Sequence, residues 1–238
     1  INDTFTFVHY FEGSQSGDTI IGSNENRFEG FVGFGGADRI VGGGGFNVLD
    51  YAYEAEFVGP SATGILANLA AGTIRDTQGF IDTVSGIGEL RGTDMNDSVS
   101  AAGTNVGIVL RTYAGNDTIV GSSRGDVIFA GSGNDLVNPG DNQSVDRVDV
   151  GIGNDTITLT NMVNGYIEVS HGDLVAGINA VINGTTNSGT ITKGAQGQTT
   201  FVNIATPISA GGAGALGGVE IVGTGFNDTF NITSMSSG

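Results

Sequence analysis

Eleven aspartates and asparagines spaced along this chain in similar turn-like settings each carry an apolar residue two places on. In the middle, Asp117, Asp126, Asp135, Asp146 and Asp155 lead to Ile119, Ile128, Val137, Val148 and Ile157. The same step joins Asp18 to Ile20, Asp38 to Ile40, Asn47 to Leu49 and Asp97 to Val99, with Asp3–Phe5 and Asp228–Phe230 at the two ends. In a chain only 38% apolar, chance is a poor account of this. The residue between is often a strand former, as at Thr19, Thr118, Val127, Thr156 and Thr229. A short run rich in glycine or small polar residues comes before, as in AGSGNDLVN (130–138). Each unit therefore predicts a glycine-rich turn of about six residues feeding a very short strand, with the aliphatic residue buried in a thin stacked core. No stretch has a convincing helical period. Tyr51 and Tyr53 in LDYAYE alternate as in a strand.

A carboxylate, an apolar anchor and flexible backbone at a fixed period are the ingredients of a stacked calcium site. Calcium takes six to eight hard oxygen ligands from carboxylates and backbone carbonyls. One loop cannot supply that many, but two loops stacked one coil apart can. Glycine allows the positive φ that turns carbonyls inward.

The blocks GFGGADRIV (33–41), GGGGFNVLD (42–50), AGNDTIVGSSRGDVIFAGSGNDLVN (114–138) and VGIGNDTIT (150–158) carry the signal by repetition. In them the chain resembles the RTX, or haemolysin-type calcium-binding, family. The resemblance implies an all-β fold, a right-handed parallel β-roll or β-helix solenoid with calcium stacked between the turns. Two nonapeptides make one coil in that family, so alternate aspartates line one edge. Asp117 would then share an ion with Asp135, and Asp135 with Asp155. Asp126 would pair with Asp146, Asp18 with Asp38, and Asp97 with Asp117. The implied metal ligands are Asp18, Asp38, Asn47, Asp97, Asp117, Asp126, Asp135, Asp146, Asp155 and Asp228. Asn47 brings an oxygen without a charge and should weaken its site. The half-turns at 26–29 and 102–110 lack the aspartate, and Asp76 and Asp82, outside the motif, are expected to be solvated.

Composition sharpens this picture. The net charge is −17, and ten of the 17 aspartates occupy motif positions. Such a surface disfavours nucleic acid and anionic membranes as partners. Charge is not in runs, which argues against a disordered acidic tail. Cysteine is absent, so calcium would do the stapling that disulfides do elsewhere. No stretch approaches the roughly 20 apolar residues of a membrane helix, so membrane insertion is not expected. The sequence opens inside a motif and reads as an excerpt of a longer protein.

One elongated solenoid over 1–238 is expected. It comprises a first calcium block (13–51), metal-free segments at 52–91 and 161–222 that continue the coil as wider rungs, a main calcium block (92–158), and the start of a further repeat (223–238). GTDMNDSV (92–99) and GTGFNDTF (223–230) support that longer period. Five of the eight N-x-S/T sequons are by-products of the N-D-T/S motif. His9 and His171 lie apart, with no partner at helical spacing, and SHGDL (170–174) lies near no nucleophile motif.

The expected function is a calcium-rigidified structural module of a secreted or cell-surface protein: an adhesin, a surface-array component or a spacer. Its partners would be calcium ions, and beyond those carbohydrate, copies of itself or other surface proteins. An accessory module of a secreted polysaccharide-acting enzyme or protease is the second class. A catalytic β-helix such as a polyuronate lyase or epimerase is the third, and one lysine with two scattered histidines leaves it little to work with. No catalytic residue is expected.

Overall fold

The computed structural model describes residues 9–140, 144–159, 166–172, 174–183, 188–202 and 218–233. The Asp3–Phe5 unit, Asp173 and residues 203–217 lie outside these residues. The chain winds back and forth between two sheets of short strands, so that consecutive half-turns fall on opposite sheets.

Nine strands, all parallel, stack in chain order in the first sheet. They run from Tyr10–Glu12 and Phe28–Val32 through Val127–Phe129 to Gly218–Ile221. The opposing sheet contains Thr19–Ile21, Arg39–Val41, Ser98–Ser100, Thr118–Val120, Leu136–Asn138 and Gly153–Thr158. Along the motif blocks the step between paired strands is 18 or 20 residues, as in Ile119↔Val137 and Val137↔Ile157. Two nonapeptides therefore make one coil, with two residues added where the step is 20.

The apolar residue of each unit is the element of the core. Leu49, Leu90, Leu110, Ile128, Val148 and Val169 lie in register along one sheet, each 1% exposed or less. Val99, Ile119, Val137, Ile157 and Phe201 face them from the other, each no more than 2% exposed. Only every second side chain of a three-residue strand points inward, so Thr118 and Leu136 face solvent while Ile119 and Val137 do not. Burying each aliphatic side chain contributes about 1.5–3 kcal/mol. Phe230 departs from this pattern and is half exposed, because its strand Thr229–Thr233 pairs on one side only, with Asn179–Asn183.

The segments expected to continue as wider rungs do something else. In 52–91, the strands Leu66–Asn68, Thr73–Arg75 and Ile81–Ser85 form an antiparallel meander. Its outer strands pair in parallel with Ser98–Ser100 and Arg39–Val41. A second meander, Asn179–Asn183, Ser188–Thr192 and Gly197–Val202, follows the same design. Each meander supplies three strands where a regular coil supplies one, so thirteen strands face nine.

Tyr51 and Tyr53 also depart from expectation. They lie in an α-helix, Tyr51–Val58, that leaves the solenoid between coils. Asp50 caps its N-terminus by accepting from the Tyr53 N–H at 3.1 Å, and Gly59, at φ 72°, ends it. Alternation over four residues fits a strand or a helix turn equally. The cap decides here, together with Tyr51, Glu54 and Ala55 all turning to the buried side.

Candidate metal centre

The motif aspartates stack as the resemblance implied. In each predicted pair, the Oδ1 of the later aspartate accepts a hydrogen bond from the backbone N–H of the earlier one. The distances are 2.7 Å for Asp18 N to Asp38, 2.8 Å for Asp97 N to Asp117 and 2.9 Å for Asp117 N to Asp135. They are 3.0 Å for Asp135 N to Asp155 and 2.8 Å for Asp126 N to Asp146. One carboxylate oxygen per coil thus satisfies a backbone donor that the strand ladder leaves over. The other oxygen, Oδ2, divides the aspartates into two groups.

In the first group a serine or threonine four residues earlier meets the carboxylate. The backbone N–H of Ser14, Thr93, Ser122 and Thr224 donates to Oδ2 of Asp18, Asp97, Asp126 and Asp228, at 2.6, 2.7, 2.6 and 2.8 Å. The hydroxyls donate to the same carboxylates at 2.8–2.9 Å. These turns close on themselves, in the manner of a capping box turned on a strand entrance.

In the second group no donor among the described residues reaches Oδ2. The Oδ2 atoms of Asp38, Asp117, Asp135 and Asp146 are buried without a partner. Thr112 stands beside Asp117, but its hydroxyl donates to the Ala130 carbonyl at 3.0 Å. The backbone differs accordingly. Four residues before Asp38, Asp117 and Asp135 stand Phe34, Tyr113 and Gly131, with φ of 62°, 61° and 103°. Two residues before stand Gly36, Gly115 and Gly133, all at positive φ. A phenylalanine and a tyrosine in the left-handed region cost on the order of 1–2 kcal/mol each. Such strain persists where the surroundings over-determine it and clusters at functional sites. Phe34 is held by Tyr53 and Phe57 of the helix, with ring centroids 5.9 and 5.1 Å away. Gly33 lies against the same carboxylate, and a Cβ there would collide with Asp38 Oδ2.

The open carboxylates are held far from their ordinary acidity. Burial raises Asp38 and Asp117 to about 7, Asp135 to about 6 and Asp146 to about 8. The adjacent carboxylates of the stack push the same way, and the backbone N–H bonds oppose. Burial also raises Asp97 to about 6, in spite of its Thr93 donors. A buried carboxylate with an unpartnered oxygen is an expensive group unless a cation meets it. Hard oxygens on stacked, positive-φ turns fit calcium by donor chemistry. Among the described residues no three acidic or imidazole side chains converge as a metal cluster, so backbone carbonyls would complete any ligand set.

Asn47 keeps the open backbone, with Gly43 and Gly45 at positive φ. Its amide instead donates to the carbonyls of Gly44 and Gly86, at 3.2 and 2.8 Å. The half-turn at 26–29 is not without an acid: Glu29, in register with Asn47 and fully buried, accepts from the Ser23 N–H at 2.8 Å. At 102–110 the aspartate position is taken by Ile108, whose N–H donates to Asp126 Oδ1 at 2.9 Å.

Asp76 and Asp82 correct a second expectation, since both are fully buried rather than solvated. Asp82 continues the Asp18–Asp38 stack, taking the Asp38 N–H at 2.8 Å, and Tyr51 Oη donates to its Oδ2 at 2.7 Å. Asp76 accepts from the N–H groups of Gln78 and Phe80 in the meander turn. Asp82 carries the motif's apolar residue two places on, Val84 in register with Ile40, but it lies 44 residues after Asp38 rather than one regular coil away, because the meander intervenes. The Ser/Thr group was legible: GSQSGD, GTDMND, GSSRGD and GTGFND share a hydroxyl four residues before aspartate. His171 is buried, and burial lowers it to about 4, which keeps it neutral.

Comparison with known proteins agrees. The RTX calcium-binding nonapeptide repeat matches in four copies, over residues 32–50 and 112–143. No curated protein matches the chain. Among solved structures, the extracellular lipase LipA from Serratia marcescens is similar at 18% identity with a TM-score of 0.31. The alignment covers 85% of this chain and 39% of the lipase, so the chain spans about two-fifths of that protein's length. The open carboxylates Asp38, Asp117 and Asp135 and the Asn47 turn all fall within the matched residues, where the chain carries RTX calcium-binding nonapeptide repeats.

Proposed function

We propose that this chain is a structural module of a secreted or cell-surface protein that calcium makes rigid outside the cell, and that it holds shape and presents a surface without catalysing a reaction. The observation that carries this is that four buried motif carboxylates, Asp38, Asp117, Asp135 and Asp146, each keep one oxygen without a hydrogen-bond partner among the described residues, as Glu54 and Asp76 outside the motif also do. Calcium demand concentrates there. The coils of Asp18, Asp97, Asp126 and Asp228 carry their own donors and depend on the ion less. Calcium supplies positive charge and vacant coordination positions. The chain supplies the carboxylates, the turn carbonyls and an aliphatic core that fixes their spacing.

Extracellular modules bind calcium with dissociation constants of roughly 10⁻⁴–10⁻³ M. At cytosolic calcium such sites stay empty and the open carboxylates repel, which favours an extended chain before export. Carbohydrate or protein contacts would come from the helix and the two meanders, which stand outside the repeat. The test is far-UV circular dichroism at neutral pH during calcium titration of chelated protein. A gain of β signal with calcium is expected. A spectrum and melting temperature unchanged by complete calcium removal would overturn the reading.

A further inference from the structure

Lys193, the chain's single lysine, is fully buried. It stands between the strand Ser188–Thr192 and the 3-10 turn Gly194–Gln196 of the second meander, with its N–H bonded to the Gly197 carbonyl at 2.8 Å. Its Nζ donates to Asp155 Oδ2 at 2.5 Å and to the Gly151 carbonyl oxygen at 2.8 Å. Asp155 is the last aspartate of the stack Asp97–Asp117–Asp135–Asp155. It has the open backbone, with Gly151 at φ 64° and Gly153 at φ 139°. Its Oδ2 is therefore the counterpart of the oxygens that Asp117 and Asp135 leave unpartnered.

We propose that the Lys193 ammonium is a tethered substitute for calcium at this coil, closing the row of ion positions with a cation that belongs to the chain. The proposal rests on the calcium reading above. A carboxylate oxygen and a backbone carbonyl are the two ligand types that calcium takes from protein, and Nζ holds one of each. The stack needs such an end. The next strand, Gly197–Val202, places Thr199 in register with Asp155, so no further carboxylate follows to share an ion. The Gly151 carbonyl also lacks the ladder donor that its predecessors have. Tyr113 and Gly131 carbonyls accept from the N–H groups of Ser132 and Ile152, whereas the N–H of Gln196 turns back to the Lys193 carbonyl. The lysine fills both gaps. A charged group at zero exposure is tolerable only when paired and hydrogen-bonded, and the charge of Lys193 reaches Asp135 as well as Asp155. At the other end of the same stack Thr93 closes Asp97. The row of open positions, Asp117 and Asp135, is thus bounded on both sides by groups of the protein, much as repeat arrays need distinct terminal units.

The test compares full-length wild type, Lys193→Ala, Lys193→Met and Lys193→Ala/Asp155→Asn, each folded in saturating calcium. Bound calcium is counted by native mass spectrometry, and thermal unfolding is followed with calcium and with chelator. Lys193→Ala should bind one calcium more than wild type and lose stability chiefly in chelator. The added Asp155→Asn change should remove that ion. Lys193→Met, which fills the space without charge, should lose stability in chelator. An unchanged ion count in Lys193→Ala, a stability loss equal in both conditions, or failure of that variant to fold even in saturating calcium would overturn the proposal. Wild type that binds no calcium would overturn the calcium reading itself, before any variant is compared.

Discussion

Replacing Asp135 by asparagine should strengthen the metal-free chain and weaken the calcium-loaded one. Asp135 is 2% exposed and its carboxyl is raised from 3.8 to about 6. At pH 8 the ionised group therefore costs the metal-free fold on the order of 3 kcal/mol relative to the unfolded chain. Asparagine removes that charge and keeps an oxygen for the Asp117 N–H, which now donates to Oδ1 at 2.9 Å. It also places an amide NH₂ at the position of the unpartnered Oδ2, which costs about 1–3 kcal/mol if it stays unpaired and little if turn carbonyls accept it, as they do at Asn47. The net gain in chelator lies between about zero and 3 kcal/mol. With calcium the balance inverts, because at a hundredfold excess over the dissociation constant each site contributes about 2.7 kcal/mol and the variant forfeits a charged ligand. Denaturant unfolding of wild type and Asp135→Asn at pH 8, with calcium and with chelator, measures both signs. Asp97→Asn is the control, since Thr93 already satisfies that carboxylate and the effect should be the same in the two conditions. If Asp135→Asn destabilises the chain equally with and without calcium, the open carboxylate is not a calcium ligand.

Protons should replace calcium in part. Asp38, Asp117 and Asp146 are raised in the fold, so the stability they contribute in chelator is full below about pH 4 and is lost as pH rises through about 7–8. The metal-free chain should melt higher at pH 5 than at pH 8, calcium should reverse that order, and its binding near pH 7 should release protons, measurable by calorimetry in two buffers. In the core, Ile119→Ala should cost about 2–5 kcal/mol in calcium, against less than about 0.5 for the exposed Thr118→Ala one residue away, by the same denaturant assay.

Local repetition determined much of this protein. The period placed Ile119, Ile128, Val137, Val148 and Ile157 in the core, because a strand of three residues has only one inward side chain. The family resemblance, with two nonapeptides to a coil, implied which aspartates stack, and the N–H to Oδ1 bonds join those same pairs. The structure separated open sites from closed ones, and the local signal for it, a hydroxyl four residues before the aspartate, stands in the sequence at Ser14, Thr93, Ser122 and Thr224. Contacts between distant segments were decided only in three dimensions. Asp82 joins the Asp18–Asp38 stack because a meander reverses the chain and returns it to the sheet. The LDYAYE segment turns into a helix because Asp50 caps it and Phe34 packs against Tyr53 and Phe57. Lys193 reaches Asp155 across 38 residues, bringing a cation to an oxygen that looks, in sequence, like every other calcium ligand. A repeat encodes its own turns and core, and in the Ser/Thr turns its own donors, but what meets the second oxygen of Asp82 and Asp155 is a distant donor, Tyr51 or Lys193, that only the fold carries to it.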